Sequence, residues 1–298
     1  MPRVGHLEER ANLEGRLAVI MGGGGGLGRA CAVDLAMAGV RVALSDRDAA
    51  GLQDTEAIIR RSNAEVMTMA LDARDNEAVT AFFAEVDDRF GDQLNVLVNV
   101  VGGTFRQPFE ESTPKGWDAI IRTNFTWLLH ATQLAIPRMR AAGGGSIISL
   151  TSIEAHRAAP GFAVYAGMKA AVTNFTRTLA VELAPWGIRA NTIAPDFVPT
   201  PALTGPVPVA GEAKEVSDFA HRIGIPMGRD GVYEDVGGCA LFLASDLSSY
   251  VTGTTLHPDG GATASAGWFN WPDVGFANHP PAGVVEYLMG RASSVGDP

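Results

Sequence analysis

Six short runs of apolar residues recur along the first two thirds of this chain, and their alternation with helical segments constrains its fold more than any other feature. Between the runs, apolar residues return every three or four positions, which is the spacing of a helix with one buried face. Strands that alternate with helices form βαβ units, in which helices cover both faces of a parallel sheet. We therefore expect one doubly wound α/β domain. The predicted strands are residues 16–21, 40–45, 65–70, 95–101, 145–152 and 188–195.

The composition narrows the class of partner. No stretch approaches the roughly 18 uninterrupted apolar residues that cross a bilayer, and the first residues lack the apolar core of a signal peptide, so we expect a cytoplasmic location. A net charge of −10 without a basic run argues against nucleic acid or an anionic membrane as partner and favours a small molecule. Cys31 and Cys239 lie in apolar helical patterns with no CxxC pair or histidine cluster, so we expect buried thiols and no metal site.

Two later segments break the strand–helix pattern. Residues 196–226 begin with a proline-dense, non-periodic stretch, and we expect a long loop there that contributes to substrate binding. Residues 263–298 form an extension with too many aromatic side chains for a free tail. We expect this extension to pack on the domain or on a neighbouring subunit. Its aromatic residues include Trp268, Phe269, Trp271 and Phe276.

A run of five glycines connects the first predicted strand to a helix that begins at about Leu27. Glycines let the backbone turn sharply and approach a diphosphate, and a helix N-terminus offers unpaired N–H groups and the positive end of a dipole. A flexible loop is the plainer alternative, but such loops seldom separate a buried strand from an apolar helix. No Lys-Ser or Lys-Thr follows the last glycine, which excludes a P-loop. The pattern predicts a dinucleotide cradle on a Rossmann-type sheet.

Asp46 ends the second predicted strand, about 20 residues after the glycines. A carboxylate at this position can accept hydrogen bonds from both hydroxyls of an adenosine ribose. Helix capping is the alternative role, for which Ser45 and Asp48 are equally placed. A 2′-phosphate facing Asp46 would meet like charge, so we expect NAD rather than NADP. Arg47 leaves NADP open, because its guanidinium could turn towards such a phosphate.

Tyr165 and Lys169 form the string YAGMK, whose spacing places both side chains on one helix face, one turn apart. Alone, this string is a weak signal, and an exposed amphipathic pair is the plainer interpretation. The order of further motifs changes that weighting, because together they resemble the short-chain dehydrogenase/reductase family over about residues 12–262. The matching pieces are Gly22, Gly26 and Gly28 of TGxxxGxG, Asn99 and Gly102 of NNAG, Asn124, Ser152, the YxxxK pair, Asn191 to Thr200, and the closing segment 242–261.

The resemblance implies an NAD-dependent oxidoreductase that interconverts a secondary alcohol and a ketone by hydride transfer. A free tyrosine has a pKa near 10, and an ammonium one turn away would favour its phenolate, so Tyr165 is the expected base in oxidation and acid in reduction. Ser152 would hold the substrate oxygen, Lys169 would also hold the nicotinamide ribose, and Asn124 would relay the proton through water. The resemblance also implies a homotetramer.

The resemblance further assigns a set of cofactor contacts along the chain. These are Gly22, Gly26, Leu27, Gly28, Asp46, Arg47, Asp72, Ala73, Asn99, Gly102, Tyr165, Lys169, Pro195, Val198 and Thr200. For Asp72, which matches the adenine-contacting residue, a plain surface carboxylate is the alternative. Glu154, His156 and Asp196 are candidates for the substrate pocket, although an ordinary structural role is the stronger interpretation of His156.

Four positions depart from the family pattern. Met21 stands in place of threonine, Val100 and Val101 in place of the second Asn and the Ala of NNAG, and Asp196 in place of the glycine after Pro195. None of these changes removes a reacting group. Asp196 does add a carboxylate near the nicotinamide end, where it can influence substrate choice.

Several other functions compete with this interpretation. Within the family the main alternative is an NADPH-dependent 3-oxoacyl-thioester reductase, against which Asp46 argues. A methyltransferase also uses a glycine loop and an acid after the second strand, but has no use for the Ser, Tyr, Lys set. A non-catalytic dinucleotide sensor would lack the reacting groups. The proline-rich segment and the aromatic extension suggest an apolar pocket and hence a bulky alicyclic, steroid-like or aromatic alcohol, or an acyl thioester that carries one.

Overall fold

The structure, a computed structural model, describes residues 5–199 and 214–292. In these residues seven parallel strands form one sheet in the order β3-β2-β1-β4-β5-β6-β7. The order reverses direction between β1 and β4, which opens a crevice at the carboxyl ends of these two strands. The strands are β1 Leu17–Met21, β2 Arg41–Asp46, β3 Val66–Ala70, β4 Val96–Asn99, β5 Gly145–Leu150, β6 Ile188–Ile193 and β7 Thr255–Leu256.

Helices cover both faces of the sheet, and the sequence-based expectation of a doubly wound α/β fold is confirmed. The strands β1 and β4 at the centre of the sheet are buried along their whole length, as in a parallel sheet that is covered on both sides. The helices are α1 His6–Ala11, α2 Gly26–Met37, α3 Ala49–Arg60, α4 Asn76–Phe90, α5 Pro114–Ile121, α6 Trp127–Ala141, α7 Ala163–Leu183, α8 Lys214–Gly224, α9 Tyr233–Ala244, α10 Ala262–Ser265 and α11 Ala282–Ala292.

Alternate residues of each strand feed two separate hydrophobic cores. In β1, Ala18 and Ile20 pack in the core under α2, α3 and α9. Leu17, Val19 and Met21 point to the opposite core, under α4, α6 and α7. This alternation follows from the two-residue period of a strand, so a single buried strand supplies both faces.

A single π-helical turn, Arg122–Thr126, joins α5 to α6. The three pieces form one continuous helical stretch from Pro114 to Ala141. One extra residue per turn re-aims the side chains that follow, and such turns are frequent at functional sites. Asn124 lies within this turn, so its direction differs from that of a residue in a regular helix.

The expectation of a loop over residues 196–226 was wrong for its second half, where α8 spans Lys214–Gly224. The prolines of residues 196–213 dominated that interpretation. Beyond them, Val216, Phe219 and Ile223 stand three and four positions apart, which is a helical spacing in the sequence itself. Residues 200–213 lie outside the described part of the chain.

The C-terminal extension forms a two-stranded antiparallel hairpin, β8 Phe269–Trp271 and β9 Gly275–Ala277, followed by α11. The hairpin packs against α8 through β8. Trp268, Phe269 and Phe276 nevertheless remain 48%, 39% and 57% exposed. The described part of the extension, residues 263–292, therefore contacts its own domain, while these three aromatic side chains still face outwards.

The cysteines are free thiols on packed helices, but they are not equally buried. Cys31 on α2 is fully buried, whereas Cys239 on α9 is only partly buried, which corrects the expectation for Cys239. Within residues 5–199 and 214–292, none of the helices is both long and apolar enough to cross a lipid bilayer.

Candidate active site

The glycine run forms a tight turn between β1 and α2. Gly22 has a left-handed φ of 100°, and the N–H groups of Gly22 and Gly23 donate to the Ser45 carbonyl at 2.7 and 3.0 Å. Gly28 lies so close to this turn that a Cβ there would stand 1.8 Å from the Gly22 carbonyl oxygen. A Cβ on Gly25, by contrast, would meet no atom within 4 Å. The turn is therefore closely packed on its inner side and open on its outer side, as a diphosphate cradle requires.

Asp46 lies beside this turn and is not the cap of the following helix. Its Oδ2 accepts a hydrogen bond from the Gly24 N–H at 3.0 Å, and its Oδ1 accepts one from the Asp48 N–H at 3.0 Å. Asp48 caps α3 by accepting from the Gly51 N–H at 3.1 Å. A carboxylate offers about four lone-pair positions, so Asp46 keeps acceptor capacity for a ribose. Arg47 next to it is exposed.

Arg29 anchors the cradle, and the sequence analysis missed it. Its Nη2 donates to the carbonyls of Gly24 and Gly51 at 2.8 and 3.1 Å, and its Nε donates to the Thr55 hydroxyl at 2.9 Å. These bonds tie the glycine turn to α3. The only sign of this role in the sequence was an arginine that closely follows the glycine run, at the start of α2.

The second predicted acid, Asp72, is paired with its neighbour Arg74. The Arg74 Nε donates to both carboxylate oxygens of Asp72, at 2.9 and 3.1 Å. Hydrogen bonds from Arg74 lower the pKa of Asp72 to about 2. Ala73 between them is buried. An adenine contact at Asp72 and Ala73 stays a prediction.

Ser152 lies two residues beyond β5, which ends at Leu150 and not at Ser152 as the sequence suggested. It begins a 3₁₀ turn, and its Oγ accepts a hydrogen bond from the Glu154 N–H at 3.2 Å. Tyr165 and Lys169 lie on α7, with the Lys169 Nζ 5.7 Å from the centroid of the Tyr165 ring. The exposed-pair interpretation is wrong, because Lys169 is only 4% exposed.

Asn124 meets Lys169 across Gly102. The Asn124 Nδ2 donates to the carbonyls of Gly103 and Ile120 at 2.7 and 2.9 Å, and its Oδ1 accepts from the Gly103 N–H at 3.2 Å. A Cβ on Gly102 would stand 3.0 Å from the Asn124 Oδ1 and 3.1 Å from the Lys169 Nζ. Glycine at residue 102 therefore leaves room for the two side chains to converge.

Burial shifts the pKa values of Tyr165 and Lys169 in the directions that disfavour the charged form of each side chain. Burial raises the pKa of Tyr165. A hydrogen bond with the Ser152 side chain partly opposes this rise, and the negative charge of Glu154 adds to it. Burial lowers the pKa of Lys169 to about 8. Burial is the largest influence on the phenol, and the expectation that Lys169 lowers the pKa of Tyr165 stays a prediction. Desolvation disfavours both the phenolate and the ammonium, and the Lys169 Nζ donates to the Leu150 carbonyl at 3.0 Å.

Asn99 connects the sheet to a neighbouring helix and is 1% exposed. Its Nδ2 donates to the hydroxyls of Thr132 and Ser149, at 3.4 and 3.3 Å. Its Oδ1 is buried without a hydrogen-bond partner among the described residues. These contacts link β4 to β5 and α6, while a cofactor contact at Asn99 stays a prediction.

The three candidate substrate residues are held by partners that the sequence analysis did not name. Arg157 Nη2 donates to the Glu154 Oε1 at 3.0 Å and to the Asp196 Oδ1 at 3.4 Å. The ring of His156 lies edge-on to that of His257, with centroids 4.8 Å apart, and both rings are exposed. Arg157 was visible in the sequence only as a cation three residues after Glu154.

The segment after β6 completes one wall of the site. The Pro195 carbonyl accepts a hydrogen bond from the Ile153 N–H at 3.2 Å, and Val198 is buried. Thr200 lies outside the described residues. In the described part of the chain, no three histidine, cysteine or acidic side chains lie together as ligands for a metal ion.

The arrangement matches a known family over most of the chain. A sequence profile described as enoyl-(acyl carrier protein) reductase matches residues 23–263. The chain belongs to the short-chain dehydrogenase/reductase family. A relative in this family, the 3-oxoacyl-(acyl-carrier-protein) reductase of Thermotoga maritima, is 33% identical over 249 residues, which are 84% of this chain and 98% of the relative.

Two solved structures of the family superpose on the chain. A short-chain type dehydrogenase/reductase from Mycobacterium marinum is 30% identical with a TM-score of 0.76, over 84% of this chain and 96% of that one. A 7α-hydroxysteroid dehydrogenase, complexed with NADH and 7-oxo glycochenodeoxycholic acid, is 29% identical with a TM-score of 0.77, over 85% and 96%. As a member of this family, the protein is an oxidoreductase that acts on CH–OH groups with a nicotinamide dinucleotide and a small-molecule substrate.

Proposed function

We propose that this family member is an NAD-dependent dehydrogenase or reductase that interconverts a secondary alcohol and a ketone. The observation that carries the proposal is the convergence of Asn124, Lys169 and Gly102 next to Tyr165, at the sheet edge that also carries the glycine cradle. Ligands of doubly wound sheets bind in the crevice at this edge. The nicotinamide ring supplies hydride acceptance or donation at the substrate carbon.

The side chains divide the remaining chemistry between them. Tyr165 Oη gives its proton to the substrate oxygen in reduction and takes it back in oxidation. Ser152 Oγ donates a hydrogen bond to the same oxygen and holds it near Tyr165. Lys169 holds the nicotinamide ribose, and Asn124 fixes the Gly103 backbone beside the path through which the proton is replaced. Because the pKa of Tyr165 is raised, the phenol is fully protonated at neutral pH and ready to donate.

Proton transfer through Tyr165 is tested by a Tyr165→Phe variant on a panel of alicyclic, steroid-like and aromatic alcohols and ketones. Turnover, followed by nicotinamide absorbance, should fall about 10²- to 10⁴-fold. Binding of the cofactor should change little, because Phe keeps the ring. Undiminished turnover would remove Tyr165 from the mechanism.

The preference for NAD rests on Asp46, and the NADH complex of the 7α-hydroxysteroid dehydrogenase supports it. Asp46→Asn removes the charge that repels a 2′-phosphate, so the ratio of NADP to NAD efficiency should rise about 10- to 100-fold. Asp48→Asn is the matched control, because it removes a neighbouring negative charge while asparagine can still cap α3. A wild-type protein that prefers NADP would contradict this assignment.

A specific observation also favours a second function, the NADPH-dependent reduction of a 3-oxoacyl thioester. The description of the matching family profile and the name of the Thermotoga maritima relative both refer to acyl-carrier-protein substrates. Arg47 is exposed next to Asp46 and offers a cation for a 2′-phosphate. Saturable reduction of a 3-oxoacyl thioester with NADPH, together with no activity on free alcohols, would establish this alternative.

We also propose a bulky apolar substrate, a homotetramer and a cytoplasmic location. The apolar substrate is supported by the aromatic extension beside α8 and by the steroid bound to the 7α-hydroxysteroid dehydrogenase. The homotetramer is the assembly expected from the family resemblance. Sedimentation equilibrium of the purified protein tests it directly, and a monomeric mass would exclude it.

A further inference from the structure

The turn after Ser152 carries a charged cluster to which the proposed function gives no role. We call Glu154, Arg157 and Asp196 the Arg157 cluster. The Arg157 Nη2 bonds to one oxygen of each acid, at 3.0 and 3.4 Å. The two acids are 23% and 19% exposed, and Arg157 is 43% exposed. Because two carboxylates share one guanidinium, the cluster is negative overall when both acids are ionised.

Backbone N–H groups attach the Arg157 cluster to the turn that carries Ser152. The Glu154 N–H donates to the Ser152 Oγ at 3.2 Å, and Ser152 interacts with the Tyr165 side chain. The Ile153 N–H donates to the Pro195 carbonyl at 3.2 Å, and Asp196 follows Pro195 directly. Both acids are therefore attached to backbone that also positions Ser152. Asp196 stands where the family pattern has glycine, so the second acid departs from that pattern.

We propose that Arg157 is a positioning residue that neutralises Glu154 in the turn after Ser152 and so sets the pH range in which Tyr165 exchanges its proton. The inference rests on the proposed function only in that Tyr165 is the proton donor. Arg157 itself touches neither the phenol nor the cradle in the hydrogen bonds of the structure. It acts through Glu154, and Asp196 competes for the same guanidinium.

The charges around Tyr165 support this role. Burial raises the pKa of Tyr165, and the Glu154 carboxylate raises it further. Lys169 faces the phenol from the same helix, and burial lowers its pKa. Burial also raises the pKa of Asp196, with opposing effects from Arg157 on one side and Glu154 and Asp259 on the other.

The nearby histidines contact each other through their rings. Burial lowers the pKa of His156, and His257 and Arg177 lower it further. Neither histidine contributes to the pKa shift of Tyr165 or of Asp196.

A spectroscopic titration of the unliganded protein tests the proposal without substrate or cofactor. The ultraviolet absorbance of tyrosinate is followed against pH, and the curve of Tyr165→Phe is subtracted to isolate Tyr165. Glu154→Gln should move the Tyr165 transition to lower pH, and Arg157→Gln should move it to higher pH, each by about half a unit to one unit. In the double variant the Arg157→Gln shift should vanish, because its target charge is gone.

Two controls separate a charge effect from a structural one. Arg157→Lys keeps the cation and should restore most of the wild-type transition even if the glutamine variant is poorly folded. Glu182→Gln removes one exposed negative charge at the far end of α7 and should leave the transition unchanged. Unshifted transitions in both Glu154→Gln and Arg157→Gln would overturn the proposal, as would a double variant that retains the Arg157→Gln shift.

The pH dependence of alcohol oxidation provides the second readout. The rise of rate with pH should move with the spectroscopic transition, so Arg157→Gln should be about 3- to 10-fold slower than wild type on the acid side. If Tyr165→Phe is inactive but the transitions do not move, only the role of Arg157 fails. If Tyr165→Phe turns over normally, the proposed function fails, and the spectroscopic shifts alone then decide the effect of Arg157 on Tyr165.

Discussion

Lys169 is the residue at which chemistry and folding conflict most. It is 4% exposed, and its Nζ donates to the Leu150 carbonyl. Burial lowers its pKa from the ordinary lysine value of 10.5 to about 8, so the folded protein keeps a cation at neutral pH at a cost in stability. Buried ionisable groups of this kind are concentrated at functional sites, because the fold alone would favour an apolar side chain.

Replacing Lys169 by methionine should therefore stabilise the protein while it abolishes turnover. At pH 7 the gain in the free energy of unfolding should be about 1 to 3 kcal/mol, since the desolvated charge disappears and the lost bond to Leu150 offsets part of the gain. Between pH 8 and 10.5 the unfolded wild-type chain binds more protons than the folded one. Wild-type stability then rises with pH, and the advantage of methionine should shrink.

Urea unfolding of Lys169→Met and wild type at pH 7 and at about pH 10 measures both effects. Lys115→Met is the control, because Lys115 is exposed on α5 and should change stability little at either pH. A Lys169→Met variant that is less stable than wild type at pH 7 would show that the lysine contributes more through its contacts than it loses through burial.

Residue identities predicted most of the candidate site, but they did not predict its electrostatics. The motif spacing indicated Ser152, Tyr165, Lys169 and Asn124, and the structure brings Asn124 and Lys169 to the two sides of Gly102. The pKa of Tyr165 depends on how deeply the phenol is buried, which the spacing of YxxxK does not encode. Arg157 was missed for a related reason, because its partner Asp196 is 39 residues away in the chain.

At the scale of elements, the packing of α2 against the end of β1 determines what the glycine turn can bind. Gly22 and Gly28 are needed for this packing, because Gly22 is left-handed and Gly28 contacts the Gly22 carbonyl. Gly25 is extended at a φ of −168° and open to solvent, so the fold alone does not require glycine there. A glycine that packing does not require indicates close approach by another molecule.

Gly28→Ala and Gly25→Ala should therefore affect different properties of the protein, namely its stability and its affinity for NADH. Gly28→Ala forces the turn apart and should lower the free energy of unfolding by about 2 to 4 kcal/mol. Gly25→Ala should leave thermal unfolding nearly unchanged and should weaken NADH binding about tenfold, because its methyl group projects into the cradle. Differential scanning fluorimetry and NADH fluorescence titration measure the two quantities. Unchanged NADH affinity in Gly25→Ala would contradict a diphosphate at this turn.

The type of each element was predictable from the sequence where its apolar residues recurred at a clear spacing. It was less predictable where prolines or an irregular turn interrupted that spacing. The first six strands follow from their apolar runs, although β4 and β5 end earlier than the runs do. The helix α8 was hidden behind prolines, and the π turn around Asn124 has no sequence period of its own. One extra residue in a helical turn is set by packing around the turn, which only the folded structure shows.

At the scale of the whole molecule, the strand order separates two tasks. The β1 to β3 half carries the glycine turn, Asp46 and Asp72, and the β4 to β7 half carries Ser152, Tyr165 and Asn124 on its loops and helices. The crevice between the halves is where cofactor and substrate meet in doubly wound sheets. The C-terminal hairpin approaches the second half through α8.

Removal of the extension should therefore affect the substrate more than the cofactor. A chain that ends before Trp268 lacks the hairpin and α11, and its KM for substrate should rise about tenfold while the Kd for NADH stays within a factor of two. A chain that ends after Ala277 keeps the hairpin and should show the smaller change in KM. Steady-state kinetics and NADH titration separate these cases, and equal loss of both affinities would mean that the extension supports the whole fold.

The contact between β8 and α8 has a consequence for how such a protein can diversify. Changes confined to the hairpin would reshape the neighbourhood of α8 without altering any atom that reacts. The range of substrates can then change while the proton and hydride chemistry stays intact.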